Sequence, residues 1–356
     1  MTVVILVTGI FATSMSTESF AQGMTINGAG STFIFPLMDT WRVEYEAVKP
    51  GVIVNYQSIG SGGGVKQFIA KTVDFGASDA PLTLEEAQQA PGAVHIPVTI
   101  GSVVPAYNIP GVDNGLKFTG PILADIFLGK ITKWNDPKLV EINPGISLPN
   151  EDIVTVHRSD GSGTTYVWTD YLSAISPEWE QRIGKGKSVQ WPIGVGAPGN
   201  EGVSNSIRSS PNAIGYVELA YALTTGMTVG TVQNSAGNFI EPTLESTKAA
   251  AAASAPQLPA GDQSWSNITM VNARGEQSYP ITSFVYDFVF KEMNSNPNMN
   301  EAKARALVDF ITWTITDGQQ FGPDLGYVLL PENVVSLNQQ TLKSLTFKGK
   351  PVATAL

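Results

Sequence analysis

The sequence predicts an α/β fold of two lobes, with mostly parallel sheets flanked by helices. Three observations favour this class. The chain of 356 residues is long enough for two domains of ordinary size. Segments that read as strand, glycine-rich loop and helix start recur along it, an order typical of parallel sheets covered by helices. Two β-rich stretches, residues 94–110 and 279–290, separate these segments and predict two crossings between lobes, with a cleft for a small ligand.

The first lobe is predicted to begin with residues 24–97, which read as three strands separated by two helices. The loop GAGSTF (residues 28–33) follows the first strand, and the loop IGSGGG (residues 59–64) follows the second. Each loop precedes a helix start. The first helix is indicated by apolar residues at helical spacing: Leu37, Met38, Trp41 and Tyr45.

A third loop, ASDAP (residues 77–81), adds the carboxylate of Asp79. Thr83 and Glu86 follow with the spacing of a capping box, so a helix start is expected here too. Three polar loops are therefore expected at the ends of three strands in one lobe.

The second lobe is predicted to contain a helix within residues 120–136 and a strand that starts at Ile153. Residues 188–207 read as a further strand, glycine-rich loop and helix. The alanine-rich residues 247–262 predict a short exposed helix and a surface loop. After the second crossing, residues 301–316 form an amphipathic helix pattern, and another helix begins after Pro331.

The loop HRSDGSGTT (residues 157–165) is the strongest candidate for a binding site. It lies between an apolar strand and an amphipathic helix, and it combines the guanidinium of Arg158 with the carboxylate of Asp160, hydroxyls and two glycines. The first N–H groups of a helix have no intrahelical partners and carry partial positive charge, and an arginine adds a bidentate donor. This combination predicts a site for a small oxyanion.

Composition excludes several other classes of function. The net charge of −10 argues against a nucleic-acid partner, whose phosphates require a basic face. The absence of cysteine removes disulfides and thiolate metal sites, and two separated histidines make a zinc site unfavourable. Gly194, Gly196 and Gly199 match a dinucleotide-binding pattern, but Pro198 within it disfavours that interpretation. No serine lies in a G-x-S-x-G motif.

The N-terminus predicts export from the cytoplasm. Residues 3–12 form an apolar core of signal-peptide length, although no lysine or arginine precedes it. Small residues at Ser19 and Ala21 predict cleavage after Ala21, so residues 1–21 would be removed. No other segment has the length of uninterrupted apolar sequence that a membrane helix needs.

Taken together in order, these motifs resemble the periplasmic phosphate-binding protein of the bacterial high-affinity phosphate ABC transporter. The resemblance extends from about Ile26 to the C-terminus and includes GAGSTF, VNYQSIGSGGGVKQFIAKTVDFGASDAPL, RSDGSGTT, VQWPIG, AIGYVELAYA and YPITS. It implies a type II periplasmic binding protein fold with two hinge crossings. Residues 24–104 and 281–356 would form lobe I, and residues 105–280 would form lobe II.

The resemblance also implies a ligand set, partners and a location. Inorganic phosphate would be held by Thr32, Phe33, Ser61, Asp79, Arg158, Asp160, Ser162, Gly163 and Thr164. The protein would be a monomeric, non-enzymatic receptor in the periplasm, without cofactor or metal, that delivers phosphate to inner-membrane permease subunits and their ATPase. Ser31, where alanine is commoner in the family, is a departure from the pattern.

The chemistry of the ligand predicts different roles for the two aspartates. Phosphate keeps at least one proton near neutral pH, so a buried Asp79 can accept a hydrogen bond from it, whereas fully deprotonated sulfate faces the same carboxylate without a proton. Asp160 is expected to hold Arg158 in place. A phosphoester hydrolase and a receptor for another oxyanion remain as alternatives, and arsenate, which carries a proton as phosphate does, stays open.

Overall fold

The computed structural model describes residues 23–254 and 258–353. The predicted signal peptide, residues 1–21, lies outside this range. In the part of the chain that is described, none of the helices combines the length and the apolar character that crossing a bilayer requires.

The strands include most of those predicted, in the predicted order, and several short ones that were not predicted. They are β1 (Met24–Gly30), β2 (Val52–Ser58), β3 (Phe75–Ser78), β4 (Ala93–Asn108), β5 (Lys117–Phe118), β6 (Val154–Arg158), β7 (Val195–Ala197), β8 (Ala213–Glu218), β9 (Thr228–Val229), β10 (Thr231–Gln233), β11 (Phe239–Ile240), β12 (Thr282–Phe290), β13 (Thr346–Phe347) and β14 (Lys350–Pro351).

Helices alternate with most of these strands. They are α1 (Phe35–Val48), α2 (Ser61–Ile69), α3 (Leu84–Gln89), α4 (Gly120–Phe127), α5 (Pro137–Ile142), α6 (Gly163–Ile175), α7 (Pro177–Arg182), α8 (Gly199–Ser209), α9 (Leu219–Thr225), α10 (Leu244–Ser254), α11 (Glu301–Thr314) and α12 (Glu332–Lys343). Short 3₁₀ turns occur at Met293–Ser295, Asp317–Phe321 and Pro323–Leu325.

One continuous sheet with the strand order β2-β1-β3-β12-β4-β8-β6-β7 passes through the molecule, and β9 pairs with β4 beside it. Its two outer parts are parallel: β1 pairs in parallel with β2 and β3, and β6 with β7 and β8. The central strands β12 and β4 are antiparallel to their neighbours. The parallel parts therefore form two halves, which we call the first half (β1–β3 side) and the second half (β6–β8 side).

Strand β4 joins the two halves. Its residues Ala93 to Ser102 pair with β12, and its residues Val103 to Asn108 pair with β8. The first predicted crossing lies on this strand, and residues 279–290 of the second crossing include β12. The α/β class with two lobes is confirmed, whereas the boundaries drawn at residues 104 and 281 stay a prediction.

Apolar side chains fill the space between sheet and helices in both halves. Trp41 of α1 is fully buried and donates through Nε1 to the carbonyl oxygen of Gly318 at 2.7 Å, and Trp134 donates to that of Asn212 at 3.0 Å. The predicted apolar face of α11 is buried as expected, with Leu307, Phe310, Ile311 and Thr314.

Two predictions about residues 188–262 are wrong in detail. Helix α10 is not simply exposed: Thr247, Ala250 and Ala251 are buried, and Thr247 Oγ1 lies 2.8 Å from Ser102 Oγ. Small alanine side chains let this helix lie close to the sheet. The strand expected ahead of the glycines in residues 188–207 is instead β7, within the glycine-rich sequence, because Val195 pairs with Val156 of β6.

Candidate functional site

The polar loops converge where the two halves meet. The loops with Thr32, Ser61 and Asp79 follow β1, β2 and β3, so they lie at the carboxyl ends of neighbouring parallel strands. Arg158 is the last residue of β6 in the second half. A backbone hydrogen bond of 2.8 Å from Gly62 N–H to the carbonyl of Gly161 joins the loops across the cleft.

Asp79 is a buried carboxyl held by two hydroxyl groups. Ser31 Oγ donates a short hydrogen bond to Oδ1, and Thr164 Oγ1, from the other half, donates to Oδ2 at 3.5 Å. Burial raises the pKa of Asp79 to about 7, against the opposing effects of the Ser31 bond and the Arg158 charge. Asp79 can therefore accept a proton from a ligand near neutral pH.

Arg158 and Asp160 form a bidentate ion pair. Nε lies 2.8 Å from Oδ1 and Nη2 lies 2.5 Å from Oδ2. Burial alone would raise the pKa of Asp160, but the hydrogen bonds and charge of Arg158 and the N–H of Gly199 outweigh it and hold the pKa below its ordinary value. Asp160 thus stays ionised and fixes the guanidinium, whose Nη1 is directed to Thr164 Oγ1 at 3.4 Å.

The N-terminus of α6 supplies further donors. Ser162 caps the helix by accepting from Thr165 N–H at 3.0 Å. The N–H groups of Gly163 and Thr164 have no acceptor among the described residues, as expected for a first turn. A Cβ at position 163 would collide with the carboxylate of Asp79 and the hydroxyl of Ser61. Glycine here therefore allows the helix start of one half to approach the other.

Two tyrosine hydroxyls hold the loop that follows β1 in the first half. Tyr221 donates to the carbonyl oxygen of Thr32 at 2.7 Å, and Tyr327 donates to that of Phe33 at 2.6 Å. Both residues of the loop are buried. Their N–H groups have no acceptor in the described part of the chain. Ser61 Oγ accepts from Asp79 N–H at 3.3 Å, so its own proton is left for another acceptor.

All nine predicted site residues lie in this one region. Sequence analysis missed Asn200, which contacts the hydroxyls of Thr32 and Thr164, and it treated Ser31 only as a departure from the family pattern. Asn200 follows Gly199, the last glycine of the rejected dinucleotide pattern. That loop has the same order of strand, glycines and helix start as the other site loops, which was the signal available for finding it.

A salt bridge also joins the two halves outside this cluster of polar loops. Lys187 Nζ in the second half lies 2.6 Å from Glu86 Oε2 on α3, and both side chains are largely shielded from solvent. The backbone carbonyl of Lys187 accepts from Ser162 N–H at 2.8 Å. The pair therefore connects α3 to the loop that caps α6.

Among the described residues, no three or more histidine, cysteine, aspartate or glutamate side chains are grouped so that they could hold a metal ion.

Comparison with known proteins assigns the family. The model of the PBP superfamily domain matches residues 16–317. The phosphate-binding protein PstS of Xylella fastidiosa is 47% identical over 88% of this chain and 84% of that protein. PstS of Haemophilus influenzae is 44% identical over 94% of this chain and 96% of its own length.

The chain belongs to the PstS family of phosphate-binding proteins. The crystal structure of a phosphate-binding protein from Stenotrophomonas maltophilia shares the fold with a TM-score of 0.66 and 20% identity, covering 88% of this chain and 92% of that one. PstS proteins are substrate-binding receptors, so this PstS family member is a receptor and not an enzyme.

Proposed function

We propose that this PstS family member binds inorganic phosphate between its two halves and delivers it to the permease of an ABC importer. The observation that carries the proposal is a buried carboxyl, Asp79, in the same cluster as a fixed guanidinium, Arg158, and the N-terminus of α6. Such a set attracts an anion, and ionised Asp79 favours an anion that carries a proton.

Each predicted residue has a role in this proposal. Arg158 provides charge and donors, and Asp160 holds it in position. Donors from both halves surround the remaining oxygens: the N–H groups of Thr32, Phe33, Gly163 and Thr164 and the hydroxyls of Thr32, Ser61, Ser162 and Thr164. Asp79 accepts a hydrogen bond from the proton that phosphate carries. Closure of the halves would bring these groups together around the ion.

Selectivity follows from Asp79. Ionised Asp79 can accept a hydrogen bond from phosphate, but it faces sulfate oxygen to oxygen, and a buried charged group left unmatched costs more than ~1–3 kcal/mol. A receptor for sulfate or molybdate is therefore disfavoured. Arsenate carries a proton as phosphate does and would satisfy the same carboxyl.

The relatives named phosphate-binding protein PstS support the ligand and transport role. As part of this proposal the chain is exported to the periplasm, is cleaved after Ala21, and acts as a monomer with the permease subunits and their ATPase as partners.

Parallel calorimetric titrations of residues 22–356 with phosphate and sulfate test the proposal. We expect a single phosphate site and at least ~100-fold weaker sulfate binding. Equal affinity for the two ions, or no heat with phosphate, would contradict it. A chromogenic phosphate ester added to the same protein should not be turned over.

A further inference from the structure

Asn200 lies at the centre of a buried hydrogen-bond network between the two halves. It is the second residue of α8, and its side chain is fully buried. The side-chain Nδ2 lies 2.9 Å from Thr32 Oγ1 and 3.1 Å from Thr164 Oγ1. The side-chain Oδ1 lies 3.0 Å from the backbone nitrogen of Glu218. One amide therefore contacts a hydroxyl from each of two site loops.

The orientation of this amide follows from its partner on β8. The backbone N–H of Glu218 can only donate, so the side-chain atom that faces it must be the acceptor Oδ1. The NH₂ group must then face the two threonine hydroxyls. Its two protons are enough for one hydrogen bond to each Oγ1.

This orientation determines the direction of the threonine hydrogen bonds. Thr32 Oγ1 accepts from Nδ2 and also from the backbone N–H of Asn200 at 3.2 Å. Thr164 Oγ1 accepts from Nδ2 and from Arg158 Nη1. A hydroxyl with both lone pairs engaged can only donate. Thr32 has no acceptor for its proton among residues 23–254 and 258–353, and Thr164 has only the 3.5 Å contact with Asp79.

We propose that Asn200 is a positioning residue that commits the hydroxyls of Thr32 and Thr164 to act as donors toward a phosphate ion between the two halves. This inference rests on the proposed function. An anion offers only acceptors apart from its own proton, so a hydroxyl that turned its proton to a protein group would present a lone pair to it instead. Asn200 also contacts Thr32 across the cleft, which favours the closed arrangement.

Asn200→Asp is the variant that tests this role. It keeps the size and the acceptor for Glu218 N–H but replaces the NH₂ donors with a second acceptor, so both threonine hydroxyls are free to donate to it. We expect phosphate affinity, measured by calorimetry, to fall on the order of 100-fold. Asn205→Asp makes the same change on the exposed side of α8 and should stay within about twofold of the parent.

A double-mutant cycle separates positioning from general damage. Thr32→Val removes one of the two hydroxyls through which Asn200 acts, so the loss in the double variant should be smaller than the product of the two single losses. Multiplicative losses would overturn the proposal, as would unchanged affinity in Asn200→Asp. Should that variant not fold by thermal melting, Asn200→Ser, which adds no charge, takes its place in the same cycle. Failure of the parent to bind phosphate would refute the proposed function instead.

Discussion

Asp79 and Asp160 are two aspartates in one site with opposite surroundings. Asp79, after β3, is hydrogen-bonded by hydroxyls, and burial raises its pKa to about 7. Asp160, after β6, is paired with both edges of the Arg158 guanidinium, and its pKa lies below the ordinary value. The same side chain thus serves as a proton-sensitive acceptor in one half and as a permanent anchor in the other. The neighbouring groups of each aspartate determine which of the two roles it has.

The largest effect is expected from Arg158→Ala, which removes the group that makes Asp160 different from Asp79. In this variant phosphate has no charged donor and lies near the unpaired carboxylate of Asp160. Removing one partner of a buried ion pair costs roughly 3–5 kcal/mol, because the other charge is left uncompensated. Phosphate affinity by calorimetry should therefore fall about 1,000-fold. Arg182→Ala, which removes an exposed arginine of the same half, should bind as the parent does. Unchanged affinity in Arg158→Ala would refute the arrangement.

Asp79→Asn should remove selectivity while leaving the fold intact. An amide can donate to sulfate, so the ratio of phosphate to sulfate affinity should fall by at least ~100-fold in competition calorimetry. The free energy of unfolding of the unliganded protein at pH 8 should not decrease, because a buried charge has been removed. The exposed Asp152 provides the control Asp152→Asn. A preserved ratio would show that Asp79 does not select the ligand.

The two aspartates should contribute to stability with opposite dependence on pH. The pKa of Asp79 rises from 3.8 to about 7 on folding, so its contribution to the free energy of unfolding decreases as pH rises from about 4 to 7, by at most roughly 4 kcal/mol. The pKa of Asp160 falls on folding, so its contribution is present above pH 3.8 and is lost as pH falls through the folded-state value.

Denaturant unfolding of the unliganded parent, Asp79→Asn and Asp160→Asn across this range measures both contributions as differences between proteins. Buried acids that do not interact with either aspartate cancel in such differences. For each variant, the difference in free energy of unfolding from the parent is followed as pH rises. If both differences changed in the same direction, the contrast between the aspartates would be wrong.

A smaller effect is expected from Ser31→Ala. The Ser31 hydroxyl accepts from Ile34 N–H at 3.3 Å and donates to Asp79, where it lowers the pKa. Its loss should raise the pKa of Asp79 further, by an amount worth ~1–2 kcal/mol. The pH range over which Asp79 changes the free energy of unfolding should then extend to higher pH. Ser264→Ala, at an exposed serine, is the control and should leave this pH range unchanged. An unchanged pH range in Ser31→Ala would show that Ser31 does not lower the pKa of Asp79.

The sequence by itself determined the elements and the residue types of the site. Apolar patterns indicated β1 to β4 and α1, the polar loops between strands and helices named Asp79 and Arg158 as candidates, and the family resemblance added Thr32 and Ser61. These signals are local: side chains a few residues apart report whether a segment is a strand or a helix and where it ends. The alanines of α10 show the limit, because composition alone gave no sign of the sheet that buries them.

Only the tertiary structure decided which of these groups meet. Thr164 approaches Asp79, and Asn200 approaches Thr32, although 85 and 168 positions separate the partners in the chain. No periodicity encodes such distances, since they depend on how β4 and β12 join the two halves. The contrast between Asp79 and Asp160 has the same origin. A pKa is set by burial and by the nearest charge, and both exist only after the chain has folded.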